Sequence, residues 1–312
     1  KEEQILTKPK RRKITLFILV VTVSISTFVW KKDYILNQFK EFIKPRTYRF
    51  KATSKNKEEK MSINIKNIST LDQKLIDLLE EQKGEYAIYF NQPQNDLKWV
   101  YQENKVFEAV SVNKIFVMVA FLQEVEAGNY NLKQEYILNS GDIQGYGTGD
   151  LHYKSTGHKI TYEELLLKSG KLSDNTAAYI LHKKVGFNKM REKLKEWGLE
   201  NTSIEENTTT AKETGEFLEK ILNKELINSE SRRLLYSALT KTDFEKRIPQ
   251  GVPSNIQVVH KIGNGTRIFN DCGIVLTQDP YVLCVLTREV SQEEAFEVIP
   301  QISQLIYTFI ID

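Results

Sequence analysis

The stretch "VSVNKIFVMVAFLQEVEAG", residues 110–128, constrains this chain more than any other. Apolar residues occupy every face of the helix it predicts until the last turn. Such a helix is stable only when other elements cover it on all sides. The fold must therefore be built around it, with Gly128 as its stop. Lys114 stands in the first turn, where a buried cation needs a partner.

The surrounding segments supply that cover. "LDQKLIDLLEEQKG" (71–84) has apolar residues at helical spacing and ends at Gly84. "EYAIYF" and "KWVYQE" flank "NQPQND" and predict a strand–turn–strand hairpin. Residues 161–240 read as helix after helix, from "TYEELLLKSG" through "NTAAYILHKKVG", "NKMREKLKEWG" and "TTAKETGEFLEKIL" to "SESRRLLYSAL". The pattern then changes to the short β-rich runs "IQVVHKIG", "CGIVLT" and "YVLCVLT", and a final helix spans roughly 292–310. Strands at both ends with helices between predict an α/β fold. It is a mainly antiparallel sheet flanked by helices, with an all-helical subdomain inserted. Cys272 and Cys284, each in a strand-like run, are too few for a disulfide framework. Two buried thiols is the plainer reading, and one bridge across a hairpin in an oxidising compartment is the alternative.

The N-terminal residues differ in kind. Residues 1–60 carry sixteen Lys/Arg against six Asp/Glu, and the rest 28 against 35. A basic tail on an acidic body argues against a nucleic-acid enzyme, whose basic patch lies on the folded domain. "ITLFILVVTVSISTFVW", Ile14–Trp30, is seventeen residues without a charge, at the lower limit for a spanning helix. Lys8, Lys10, Arg11, Arg12 and Lys13 precede it, so the N-terminus is expected in the cytoplasm and everything after Trp30 outside. A cleaved signal peptide is the rival, but the run is long for one and no A-x-A-like site follows. The expected organisation is a cytoplasmic basic tail (1–13), a single-pass anchor (14–30), an extracytoplasmic stalk (31–67) and a globular domain (68–312).

Three short motifs carry chemistry. Ser111 and Lys114, three apart at a helix start, lie on one face. An amine whose pKa is lowered by burial or neighbouring charge takes a serine proton. Ser54 and Lys57 fit the same spacing within the stalk, so the pair gains meaning only from its buried helix. Ser173-Asp174-Asn175 precedes a run of helix formers. All three are capping residues, and a cap is the bland reading of the triplet. Lys261-Ile262-Gly263 lies on a strand before the Gly265 turn. His152, His158, His182 and His260 have no metal-ligand spacing to one another, and no Gly-rich loop leads from a strand into a helix, so neither metal nor cofactor is expected.

Ser-x-x-Lys, then Ser-Asp-Asn, then Lys-x-Gly, in that order, resembles the class A β-lactamases and penicillin-binding proteins. "YGTGDLHYKSTGHKITYEELLLKSGKLSDNTAA" and "NDCGIV" are similar to that family's segments around the second motif and after the third. The resemblance covers roughly residues 68–312. It implies that Ser111 is the nucleophile, Lys114 its base, and Ser173 a proton relay to the leaving nitrogen, held by Lys261. Asn175 would bond the substrate amide and Lys114, and Lys261, Gly263 and Asn264 would join it in binding the substrate. The backbone N–H groups of Ser111 and Asn264 would form the oxyanion hole.

Two departures stand out. Ile262 replaces the hydroxyl that in the family helps bind a substrate carboxylate, and Arg267 is the candidate substitute. The loop "WGLENTSIEENTTTAKE" is short and lacks the E-x-x-L-N glutamate of class A β-lactamases, leaving Glu200, Glu205 and Glu206 as its acids. Each of these reads otherwise as a solvated charge or a partner for the following helix N-terminus. Tyr146 reads either as a gate of the cleft or as an ordinary surface tyrosine. The resemblance implies acyl transfer from a β-lactam or a related peptidoglycan amide. Three functions share that body: a β-lactamase-like hydrolase, a D,D-peptidase or penicillin-binding protein, and a catalytically idle cell-wall sensor.

Overall fold

The structure, a computed structural model, describes residues 57–311, with side chains from residue 69. The basic tail and the expected anchor at Ile14–Trp30 lie outside the described residues. Among the described residues no helix is long and apolar enough to cross a membrane. The first helix, α1 (Lys57–Glu80), begins ahead of the domain boundary expected at residue 68.

Five antiparallel strands form the central sheet: β1 (Glu85–Gln92), β2 (Leu97–Tyr101), β7 (Gln257–Gly265), β8 (Ile268–Leu276) and β9 (Tyr281–Arg288). Their order is β2-β1-β9-β8-β7, so the first and last strands of the domain meet where β1 pairs β9. Alternation along β1 explains why the strands are apolar on both sides. Ala87 and Tyr89 join the core beneath the helical subdomain, while Tyr86, Ile88 and Phe90 join a second core. That second core holds Leu71, Leu75 and Leu79 of α1 and Val298, Ile299, Ile302 and Ile306 of the C-terminal helix. A period of two with both faces covered fixes register, since a one-residue slip would exchange the two cores.

The apolar segment at 110–128 divides in two. Val110–Asn113 is a 3-10 turn, and α2 (Lys114–Glu126) follows, with every side chain from Lys114 to Leu122 buried. Around it stand α3 (Tyr162–Lys171), α4 (Asn175–Val185), α5 (Phe187–Glu196), α6 (Ala211–Leu222) and α7 (Ser229–Ala238), with α8 (Gln292–Ile311) on the sheet's opposite face. Strands β3 (Val106–Glu108) and β6 (Thr208–Thr210) pair antiparallel, as do β4 (Glu135–Ile137) and β5 (Lys159–Thr161). The sheet and the inserted helical subdomain are those expected from the sequence.

Cys272 and Cys284 are not free thiols. They face each other across β8 and β9 and form a disulfide. Lys261 is the direct partner of Cys272 in β7, so the bridge lies one strand from the third motif.

Candidate active site

A cleft between β7 and the helical subdomain is lined by Ser111, Lys114, Ser173, Asn175, Ile262 and Asn264, among others. The three motifs therefore meet, although 150 residues separate Ser111 from Lys261. Each wall is held by identifiable contacts.

The triplet at 173–175 divides its labour. Asp174 is the N-cap of α4, accepting from the Ala177 N–H at 2.9 Å, and its other oxygen accepts from the Asp150 and Leu151 N–H groups. Neither Ser173 nor Asn175 caps the helix, which corrects the bland reading for those two. Ser173 sits at φ +53°, a left-handed conformation uncommon for a residue other than glycine, which turns the chain into the cap. Asn175 Oδ1 accepts from Lys114 Nζ at 2.6 Å, and its amide donates to the Tyr146 carbonyl at 2.8 Å. The loop before it needs its glycines. A Cβ on Gly147 (φ +78°) would lie 2.3 Å from Asn175 Nδ2, and one on Gly149 (φ +110°) 2.1 Å from Asp174 Oδ2.

The turn that carries Ser111 is clamped from two sides. Asn270 of β8 donates to the carbonyls of Glu108 and Ala109, and the Ala109 N–H donates to the Asn207 carbonyl. Asn113 Nδ2 reaches Asn207 Oδ1 at 3.0 Å. Val110, just before Ser111, is β-branched yet has φ +50°, a strained conformation of the kind that clusters at active sites. Gly263 explains itself by proximity: a Cβ there would lie 2.6 Å from the Ala109 carbonyl and 3.3 Å from the Ser111 nitrogen. Only glycine lets β7 run this close to the serine's backbone.

Two amines converge on one hydroxyl. Lys114 Nζ lies 3.1 Å from Ser173 Oγ and also donates to the Ser173 carbonyl, while Lys261 Nζ donates to the same Oγ at 2.9 Å. Burial lowers the Lys114 pKa to about 7, with Asp174 opposing. Lys261 is fully buried, and burial, then the charge of Lys114, push its pKa well down against Asp271. Two ammonium groups flanking a single hydroxyl repel each other, so near neutral pH the pair favours losing a proton. Burial alone, holding the Lys114 pKa near 7, leaves it a neutral amine above about pH 7.

Behind β7 lies a buried charge cluster that sequence reasoning missed. His260 Nδ1 is 2.8 Å from Asp271, and Nε2 is 3.2 Å from Glu245. Burial alone would lower its pKa, but those carboxylates raise it to about 9. Arg247 is almost fully buried between the rings of Phe269 and Phe296, each 5.5 Å away. It donates to the Asn270 carbonyl at 2.7 Å and to the side chain of Asn264 in the cleft. Arg267 does not take part. It bonds Glu289 across a surface turn, and the cation nearest the cleft's Asn264 is Arg247.

The short loop after α5 is held by Glu213, which accepts from the Asn201 N–H and the Thr202 hydroxyl. Of its own acids only Glu205 lines the cleft, paired with exposed Arg191 at 3.5 Å. Glu200 and Glu206 are exposed outside it. The pattern E-x-x-L-N does occur at Glu135–Asn139 and Glu219–Asn223, but Glu135 pairs with Lys159 and Glu219 bonds Tyr89 and Asn91, away from the cleft. Tyr146 lines the cleft and is 69% exposed, and its backbone carbonyl is the group that the site uses.

This architecture is shared with solved structures. PBP-A aligns with a TM-score of 0.73 at 24% identity, over 78% of this chain and 96% of its own. The β-lactamase of Sphaerobacter thermophilus aligns at 0.71 and 22% identity, over 76% and 95%. The class A β-lactamase of the last common ancestor of Gram-negative bacteria aligns at 0.70 and 23%, over 76% and 98%. No curated protein matches the chain by sequence. A sequence model of the β-lactamase enzyme family does, over residues 70–310, the stretch that forms the sheet, the helical subdomain and the cleft. The chain belongs to the β-lactamase enzyme family.

Proposed function

We propose that this serine hydrolase acylates Ser111 with β-lactams or related peptidoglycan amides and releases the acyl group slowly. The observation that carries the proposal is the Ser173 hydroxyl held between Lys114 and Lys261 in the cleft that Ser111 lines. The neutral Lys114 amine takes the Ser111 proton as Oγ bonds the amide carbon. The oxyanion is met by the backbone N–H groups of Ser111 and Asn264, donors aimed where charge develops. When the C–N bond breaks, Ser173 gives its proton to the leaving nitrogen and regains one from the Lys114 ammonium. The proton lost by Ser111 thus ends on nitrogen, and Lys114 is neutral again. Lys261 donates to Ser173 and keeps it oriented. Asn175 holds Lys114 with Oδ1, and its family role is to bond the substrate amide.

Deacylation is slow on this reading because the loop lacks the glutamate that would activate water. The same absence favours the second reading, a D,D-peptidase or penicillin-binding protein acting on stem peptides. PBP-A carries a penicillin-G acyl-enzyme in one variant, which fits either. Ile262 in place of a hydroxyl favours the third, an idle sensor. Covalent labelling separates the third from the first two. Ser111→Ala is expected to abolish the penicillin adduct seen by intact-mass spectrometry, and an adduct on that variant would overturn the assignment.

The membrane anchor is proposed from Ile14–Trp30 and the five cations before it. Protease added to intact cells should cut around Lys51–Lys60 and release the enzyme domain. Protection until lysis would reverse the orientation.

A further inference from the structure

The cleft extends well past the reacting groups. Asn175, Ala178, Tyr179 and His182 lie on one face of α4 and all line it, together with Ile204 and Glu205 of the short loop. At 1.5 Å per residue, His182 stands about 10 Å along the helix from Asn175. That is too far to act on the scissile carbonyl, and it suits a group carried on a substrate side chain.

Two observations give this end of the cleft its chemistry. His182 is 8% exposed, and its Nε2 is buried with no hydrogen-bond partner. Buried polar atoms left unpaired are rare and need a reason. The ring is fixed by an edge-on contact with Phe187, centroids 4.5 Å apart. Burial keeps the imidazole neutral, lowering its pKa, while the Glu205 charge acts on it in the opposite sense. A neutral imidazole adds no positive charge to this end of the cleft. Glu205 is the one carboxylate lining the cleft among the described residues. Its Arg191 contact is long at 3.5 Å, with both side chains exposed, so a ligand can displace it.

We infer that His182 and Glu205 form a subsite for an ammonium group carried about 10 Å from the scissile amide on the acyl half of the substrate. The opposite end of the cleft is backed by Lys261 and Arg247, buried behind its wall and donating to the side chains of Ser173 and Asn264. The cleft is therefore polarised to take a substrate with a carboxylate on the leaving side and an amine on the acyl side. The amine of a basic side chain in a peptide donor has this form. The inference rests on the acyl-enzyme reading and names the acyl group that the reading leaves open.

Three penicillins test it, with 6-aminohexanoyl, hexanoyl and adipoyl side chains, each of six carbons and ending in an amine, a methyl and a carboxylate. Second-order rate constants for acylation of the full chain are read by quenched-flow mass spectrometry. The amine is expected to acylate about tenfold faster than the acid, and this ratio should shrink towards one in Glu205→Gln and in added salt. His182→Gln should lower the ratio too. Equal rates for all three on the native protein would overturn the subsite and leave the acyl-enzyme reading intact. If none acylates, that reading fails, and calorimetry of the aminohexanoyl and hexanoyl compounds on Ser111→Ala decides the subsite by itself. Tighter binding of the amine would support it, and equal binding would end it.

Discussion

Replacing Lys114 with methionine is expected to slow acylation of Ser111 by about 10²–10⁴-fold, the span that a positioned general base contributes. In free energy this is about 3–5 kcal/mol, at about 1.4 per factor of ten. The native rate should also carry the signature of this amine. Burial holds its pKa near 7, so acylation should fall about tenfold per pH unit below about pH 7 and level off above it. The methionine variant should lack that inflection, and an unchanged inflection would assign it to another group.

Stability gives an independent check with a definite sign. The folded state binds the Lys114 proton less tightly than the unfolded chain, so this residue makes stability rise from about pH 7 towards its ordinary value of 10.5. His260 works the other way. Its folded pKa is raised to about 9, so its contribution is complete below about 6.5 and is lost as pH rises through 9. Melting temperatures of native and variant protein should therefore diverge most in acid, where the native chain alone carries the buried Lys114 charge.

The elements that periodicity encodes were legible in the sequence. The buried helix, the β1–β2 hairpin and the three C-terminal strands all lie where apolar spacing and turn residues predict them. So were the motifs, because Ser111 with Lys114 and the 173–175 triplet are local in sequence. What was not legible is set by contacts distant in sequence. Arg267 looked the better cation because it follows Gly263 closely. Arg247 lies fourteen residues before Lys261 and reaches the cleft only because the chain folds its preceding loop behind β7. The cysteine pairing depends on the register of β8 against β9, which spacing does not specify. The cap fell to Asp174 because its second oxygen also had Asp150 and Leu151 to satisfy. Glycines 147 and 149 carried a readable signal, since two closely spaced glycines before a polar triplet mark a close approach of backbone to side chain.

The fate of the acyl-enzyme is where the short loop should show its effect. An ester on Ser111 is hydrolysed only if a base activates water beside it. The loop between α5 and β6 lacks the E-x-x-L-N glutamate, and its one cleft-lining acid, Glu205, contacts Arg191. Losing a general base costs about 10²–10⁴-fold. Acylation keeps both of its proposed proton carriers, Lys114 and Ser173, which are in hydrogen-bond reach of each other at 3.1 Å. Deacylation should therefore be the slower step by a wide margin. Mixing the protein with excess penicillin is expected to give a burst of one equivalent of opened lactam, then a slow phase, with the mass of the adduct persisting throughout. Installing a glutamate at Ile204, which lines the cleft beside Glu205, should speed the slow phase and leave the burst amplitude at one. Fast linear turnover in the native protein, with no adduct detected, would mean that Glu205 or another group already activates the water.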